Sequence, residues 1–303
     1  MSGSRRWSQA TPRITGRLKT NHTVARHLSL YLITNDPAIA EHAVGAGVDR
    51  IFVDLEIHGK RERQAGLDTP INAHTTGDIA AIRARLPQAY ILGRINPLHA
   101  GSQAEIDAVL AAGANAIMLP MFRRAAEVRQ IAALVNGRAA FIPLVETKEA
   151  VACFAEWADA PGLTEIYVGL NDLRLSLGLP SIFSVLLNGL LEDFVRQISA
   201  REIPFGFGGL GRLSAPQPVP AGLLLAEHVR LGSTSVILSR AFHMRSKTLA
   251  EFTAAVNAAE EVAAIRRAWL QLQSSAPQQL VRMNGELKDR IARLDSGRAV
   301  PPA

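Results

Sequence analysis

Eight apolar runs of strand length recur along this chain, with helix-patterned segments between them. They occupy 27–34, 50–56, 90–96, 116–121, 140–147, 165–170, 204–209 and 235–240. The intervening stretches, 37–46, 102–112, 124–136 and 183–200 among them, are rich in Ala, Leu, Glu and Arg and carry apolar residues at spacings of three and four. Strands that alternate with helices are parallel and joined by right-handed crossovers, and eight such units close into a barrel. The expected fold class is therefore α/β, a (β/α)8 TIM barrel over residues 27–246. A basic arm over 1–26 precedes it. Helices over 247–303, at 248–273 and 278–294, are more than a closed barrel needs and are expected to pack on, or exchange with, a neighbouring subunit.

In such barrels the active groups gather at the C-terminal ends of the strands. Here Asp54 and Glu56 end the second run, Arg94 and Asn96 the third, Pro120 the fourth and Glu146 the fifth. Asn171 and Asp172 follow the sixth, and Ser239 with Arg240 closes the eighth. Any one polar strand end can be a helix cap or a satisfied core group. So many in register exceed what capping explains.

Glu146 and Asp172 stand 26 positions apart, each closing an apolar run. Hard cations such as Mg²⁺ or Mn²⁺ take oxygen ligands and commonly use one or two protein carboxylates, leaving positions for water and substrate. The two residues fit that role. The alternative is capping, with Glu146 ahead of a helix begun near Thr147 and Asp172 ahead of one begun at Leu173. Arg94 offers a planar fork suited to a substrate carboxylate; it could instead pair with Glu56 or Glu146. His58 is the candidate base, since imidazole transfers protons near neutrality, although His74 and His99 also sit in loops and a surface role is open to all three. The glycine-rich 206–212 segment follows the seventh run, where barrels bind phosphate through backbone amides, and Arg212 would add charge. A tight turn explains the same glycines.

Composition sets outer limits. Of 303 residues, 48% are hydrophobic and 20% charged, enough for a large core. No apolar run approaches the ~18 residues of a membrane span, and no basic stretch followed by an apolar one opens the chain, so a cytoplasmic, non-membrane protein is expected. A single cysteine, Cys153, within an alanine-rich helical stretch, excludes an intramolecular disulfide or a cysteine-built zinc site. Part of the net charge of +6 lies in the arm, where Arg5, Arg6, Arg13, Arg17, Lys19 and Arg26 precede the first acidic residue, Asp36. A solvated tail is its simplest reading, and a nucleic-acid partner is not expected.

The segments Phe52-Val-Asp-Leu-Glu, Gly93-Arg-Ile-Asn, Ala116-Ile-Met-Leu-Pro-Met, Pro143-Leu-Val-Glu-Thr and Gly169-Leu-Asn-Asp-Leu-Arg-Leu-Ser-Leu-Gly together resemble the HpcH/HpaI aldolase and citrate lyase β-subunit family of the phosphoenolpyruvate/pyruvate barrel superfamily, over about 30–242. The resemblance implies a lyase, aldolase or synthase working through the enolate of a pyruvate-like 2-oxo acid. It implies Glu146 and Asp172 as Mg²⁺ or Mn²⁺ ligands, Arg94 as the clamp on the 2-oxo acid carboxylate, and Asp54 and Glu56 as supporting residues. Asn96, Gly169, Leu170 and Asn171 belong to the same substrate-binding motifs. The acceptor would be an aldehyde, a sugar or a carboxylic acid, and the assembly a homo-oligomer, a hexamer or a dimer. A citrate-lyase-like activity on a CoA thioester and a non-catalytic binding or assembly barrel are the alternatives. One departure stands out: in the aldolase branch a histidine directly follows the Asp-x-Glu motif, whereas here Ile57 intervenes before His58. In the citrate lyase branch a basic residue follows further on, as Lys60 or Arg63 would. The 68–75 stretch beyond is expected to read the acceptor.

Overall fold

In the computed structural model, residues 26–59, 74–244 and 246–297 are described. Strands β1 (Ser29–Ile33), β2 (Arg50–Asp54), β3 (Tyr90–Arg94), β4 (Ala116–Leu119), β5 (Ala140–Val145), β6 (Ile166–Val168), β7 (Phe205–Leu210) and β8 (Ser235–Leu238) pair in parallel, in chain order, into a closed barrel. The expected (β/α)8 architecture is the one observed. Each strand is fed by helical crossovers: α1 (Pro37–Gly45), α2 (Thr76–Arg85), α3 (Ser102–Ala111), α4 (Ala125–Val135), α5 (Lys148–Ala152), α6 (Phe154–Trp157), α7 (Leu170–Leu177), α8 (Leu190–Ser199) and α9 (Ala221–Leu231). After β8 come α10 (Arg240–His243), α11 (Leu249–Ala255), α12 (Ala258–Gln273) and α13 (Pro277–Asp295).

Because strand side chains alternate between faces, each strand contributes to two cores. Tyr31, Phe52, Leu92, Met118, Ile142, Leu144 and Tyr167 fill the barrel interior. Leu30, Leu32, Ile51, Val53, Ile91, Ile117, Val145 and Val168 face the helices. The Tyr167 hydroxyl accepts a hydrogen bond from the Ile237 N–H (2.8 Å) and donates to the Gly208 carbonyl (2.9 Å), beside a register shift between Gly206 and Gly209. A Cβ on Gly206 would lie 2.6 Å from both the Tyr167 ring and the Ser235 carbonyl, so the glycines of β7 make room for interior packing. At the N-terminal end of the barrel, Glu165 accepts hydrogen bonds from Tyr31 (2.6 Å) and Ser235 and pairs with Arg50 (2.8 Å), whose guanidinium lies over the Tyr31 and Tyr90 rings.

Several local expectations are corrected. The 183–200 stretch is a short 3-10 turn (Ser184–Leu186) and then α8, interrupted at Gly189, whose φ of 75° belongs to the left-handed region. The 248–273 stretch breaks at Val256 and Asn257, and Asn257 caps α12 through the Glu260 N–H. Cys153 lies at the junction of α5 and α6, not inside one helix. Most consequentially, α12 is not surplus. It packs against α1 and α9, Arg266 reaches Asp49 and the Leu28 carbonyl, and the Trp269 indole N–H donates to the Arg26 carbonyl (2.6 Å). It is the eighth helix of the ring.

The extra helix is α13, which lies along α9 of the same chain. Leu287 and Ile291 are buried there, Arg230 bridges Glu227 and Glu192 (2.7 Å each), Lys288 reaches Glu192 (3.1 Å), and Asn284 donates to Glu227 (3.0 Å). The basic arm up to residue 25 and the 60–73 stretch, with Lys60, Arg63 and most of the expected acceptor loop, lie outside the described residues.

His228 on α9 is fully buried and stacks on Phe207 with ring centroids 3.9 Å apart. Burial pushes its pKa from 6.5 down to about 3. The unfolded chain then takes up a proton near pH 6.5 that the folded protein does not. Stability is complete above about pH 6.5 and falls as the pH drops toward 3, with about 2 kcal/mol lost by pH 5 on this account. Urea denaturation of wild type and His228→Gln across this range should show the wild-type advantage shrinking on acidification. A pH-independent difference between the two would contradict it.

Candidate active site

Strand periodicity carries the site. Continuing the interior-facing series of β2, β3, β5 and β6 by two residues gives Asp54 after Phe52, Arg94 after Leu92, Glu146 after Leu144 and Gly169 after Tyr167. The register pairs Asp54 with Arg94 directly. These groups therefore converge at the C-terminal mouth, one layer above the apolar interior.

Arg94 is the hub. Its Nε and Nη2 donate to the two oxygens of Asp54, both at 2.8 Å, in a fork-to-carboxylate pair. Nη2 also lies 3.4 Å from Glu56, and Nη1 3.6 Å from Glu146. Asp54, Glu56 and Glu146 are buried. Burial alone would depress the guanidinium pKa, but Asp54, Glu56 and Glu146 reverse this and hold it above the ordinary arginine value. The edge of Arg94 that suits a bidentate substrate contact is thus occupied by Asp54, and the Nη1 side remains toward Glu146. Glu56 also receives the Arg94 charge, so the substrate and internal-partner readings of Arg94 are two edges of one guanidinium.

The capping alternatives for the two expected metal ligands do not match the geometry. The N-cap of α5 is Thr147, whose hydroxyl accepts from the Ala150 N–H (3.1 Å) and donates to the Phe122 carbonyl (2.7 Å). Glu146 instead points over the mouth, where one oxygen accepts from the Met121 N–H (3.3 Å). Met121 has a φ of 54°, a left-handed backbone rare for a residue with a side chain. Helix α7 begins at Leu170 behind Gly169, so Asp172 falls in its first turn rather than before it. A Cβ on Gly169 would stand 2.7 Å from Glu146 Cγ and 2.8 Å from Oε1. Only glycine leaves Glu146 its path.

On the β2–β3 side, Asn96 Oδ1 accepts from the N–H groups of Ile57 and His58, both at 2.9 Å. Glu105 on α3 accepts from the Asn96 N–H (3.0 Å), from Asn96 Nδ2 (2.7 Å) and from His99 Nε2 (3.0 Å). The rings of His58 and His99 meet edge to face, with centroids 4.7 Å apart. His74 is drawn in as well, its Nδ1 accepting from the Asp54 N–H (3.0 Å). The sequence marks His99 only as a loop histidine and gives no signal for Glu105. Arg212 leaves the site: its Nη1 donates to the Ala255 carbonyl at the end of α11 (2.9 Å), and the 206–212 glycines serve the barrel interior and the turn after it.

Three carboxylates, Asp54, Glu56 and Glu146, thus stand at the mouth beside the Arg94 guanidinium, and Asp172 lies in the first turn of α7, the helix that follows β6. Among the described residues, no group of three or more His, Cys, Asp and Glu side chains is arranged as a self-sufficient metal cage. Two carboxylates with surplus negative charge fit a hard divalent cation that completes its shell with water and substrate oxygens.

The sequence profile of the HpcH/HpaI aldolase/citrate lyase family matches residues 27–182, about half of the 303-residue chain. The chain belongs to that family. Solved structures of HpcH/HpaI family proteins and of a citrate synthase are similar in fold. An HpcH/HpaI aldolase from Desulfitobacterium hafniense superposes with a TM-score of 0.55 at 16% identity, covering 70% of this chain and 86% of that one. A family protein from Burkholderia cenocepacia superposes with 0.55 at 16%, covering 82% and 95%, and the citrate synthase SbnG with 0.54 at 18%, covering 70% and 85%. At these identities the likeness speaks for the fold. In sequence, a (3S)-malyl-CoA thioesterase of Cereibacter sphaeroides is 30% identical over 161 residues, 49% of this chain. The chain spans about half the length of that relative. Members of the HpcH/HpaI family commonly use divalent metals. Among the described residues, no helix is long and apolar enough to cross a membrane.

The Gly169–Glu146 approach is testable by itself. Gly169→Ala should cost about 1–3 kcal/mol, the usual range for overpacking, and much less in a Glu146→Ala background. Urea denaturation of the four proteins measures this coupling; additive effects would show that the two residues do not meet.

Proposed function

We propose that this family member makes or breaks a carbon–carbon bond through the enolate of a pyruvate-like 2-oxo acid, supplied by pyruvate, oxaloacetate or phosphoenolpyruvate, with an aldehyde, sugar or carboxylic acid as the second partner. The observation that carries the reading is the convergence of Asp54, Glu56, Arg94 and Glu146 at the barrel mouth, with three of the carboxylates sharing one guanidinium. Glu146 and Asp172 would hold Mg²⁺ or Mn²⁺, which supplies Lewis-acid stabilisation of the charge that develops on the 2-oxo acid.

The chain's own residues do the rest. Arg94, kept cationic by its neighbours, presents Nη1 to the substrate carboxylate while Asp54 fixes its plane. Asn96 and the 169–171 backbone border the same mouth and orient the bound acid. Glu56 adds a second carboxylate at Nη2 of Arg94 and leads into His58, which exchanges the proton. Glu146, threaded past Gly169, meets the Met121 N–H and cannot swing away. Assembly of several copies, with α13 contributing to the contacts, belongs to the same proposal.

The sequence match to a (3S)-malyl-CoA thioesterase favours a second reading, in which the acid is carried as a CoA thioester. Turnover of the free acid separates the two.

Proton exchange at the pyruvate methyl group, followed by NMR in D₂O with Mg²⁺ or Mn²⁺, tests the main reading. Deuterium uptake should require the metal, stop with a chelator, and fall by at least about 100-fold in Glu146→Ala, the scale on which a preorganised charge-stabilising group acts. Uptake that is indifferent to metal and to Glu146 would overturn it. Absence of uptake with either metal would favour the thioester.

A further inference from the structure

Nothing in the proposed chemistry accounts for Glu105, a carboxylate on α3 that serves three donors. Its Oε1 accepts from both the Asn96 N–H and Asn96 Nδ2, and its Oε2 faces His99 Nε2. The orientation of Asn96 follows from its partners. Nδ2 must be the atom facing a carboxylate, and Oδ1 must be the atom facing two backbone N–H groups, since the reverse arrangement would oppose donor to donor and acceptor to acceptor. Asn96 Oδ1 thereby fastens the consecutive N–H groups of Ile57 and His58.

The tautomer of His99 is fixed in the same way. Its Nδ1 accepts from the Gly101 N–H (3.0 Å), so in the neutral ring the proton sits on Nε2, where it is donated to Glu105. His99 is thus oriented by one carboxylate oxygen, and its ring meets that of His58 edge to face. The interposed Ile57 is 55% exposed, its side chain turned to solvent while its backbone joins the Asn96 bond. Both routes out of Glu105 end on His58, one at its backbone and one at its ring.

We infer that Glu105 is the positioning residue of the proton-transfer side of the mouth, setting His58 through Asn96 and His99. The inference rests on the proposed role of His58. It goes beyond that role by assigning Glu105 and His99, on a different strand–helix unit, a function in holding it. A carboxylate that orients a histidine through its second nitrogen fixes ring angle and tautomer together. Here the oriented histidine passes that constraint to a second ring by packing.

Glu105→Gln divides the two routes. The amide oxygen can still accept from Asn96, but the amide NH₂ then opposes the His99 Nε2–H, so the His99 tautomer must change or its bond to Gly101 must break. His99→Phe keeps a ring against His58 and removes the polar tether. In ¹⁵N-histidine spectra of the full chain, wild-type His99 should show the Nε2–H tautomer. Glu105→Gln should shift both the His99 and His58 ring signals with the thermal midpoint close to wild type. In the pyruvate exchange assay, Glu105→Gln and His99→Phe should each lower the maximal rate roughly 10- to 100-fold, the range for groups one contact from the reacting atoms. The half-saturating pyruvate concentration should be unchanged, and the double variant no slower than the worse single one. Unmoved His58 signals in Glu105→Gln would overturn the inference whether or not the protein turns over pyruvate. So would exchange rates within twofold of wild type, or effects that multiply. If wild type exchanges no pyruvate protons, the assigned reaction is at fault, and the histidine spectra decide the positioning role alone.

Discussion

The mouth of this barrel depends on one buried ion pair, the fork of Arg94 closed on both oxygens of Asp54. Removing Arg94 from such a pair leaves the buried Asp54 carboxylate without its partner, at a cost of about 3–5 kcal/mol, whereas removing Asp54 leaves the guanidinium to Glu56 and Glu146. The pair also sets the geometry around it. With Nε and Nη2 spent on Asp54, the guanidinium plane is fixed, and its remaining edge runs between Glu56 and Glu146. The other end of the barrel is arranged differently. There, Arg50 meets a single carboxylate, Glu165, with Tyr31 and Ser235 completing the hydrogen bonds. That end is balanced in charge and closed. The mouth holds an excess of carboxylate over guanidinium, and the proposed binding of a divalent cation rests on that surplus.

Much of this was legible from strand periodicity. A buried barrel strand alternates between two apolar cores, and a charged residue that continues the interior series past the last apolar layer has few places to go except the mouth. Asp54, Arg94 and Glu146 each stand two residues beyond an interior side chain, and the eight runs that reveal the strands reveal the site with them. Gly169 obeys the same rule. Its meaning, room for the neighbouring Glu146, appears only once β5 and β6 lie side by side.

What periodicity could not supply was the choice among partners. Glu146 and Thr147 are adjacent, either could have capped α5, and the hydroxyl does so. The sequence offered Glu56 or Glu146 as internal partners for Arg94; both stand beside it, and the direct register of β2 with β3 gives the fork itself to Asp54. Arg212 follows a glycine cluster that resembles an anion cradle, but the C-terminal carbonyl of α11 claims its side chain. The ring helix after β8 was misplaced because two short insertions, α10 and α11, separate the strand from the helix that completes its unit. Glu105 lies on a helix, outside the strand-end pattern. Ser102-Gln-Ala-Glu105 has the spacing of a capping box, whereas Gly101 occupies the cap and Glu105 turns toward β3.

The two halves of the mouth are held by different means, and this bears on how the family chemistry can be retained while the second substrate changes. The β5–β6 half is packed rigidly, by a strained Met121, a glycine with no room for a methyl group and a threonine cap. The β2–β3 half is tied through polar groups: the Asp54 N–H bonds to His74, and the N–H groups of Ile57 and His58 bond to Asn96. Backbone tethers of this kind are indifferent to the side chains between them. An extra residue such as Ile57 can be absorbed by turning outward, provided that the next histidine finds a surface to rest on. In this chain His99, held by Glu105, is that surface.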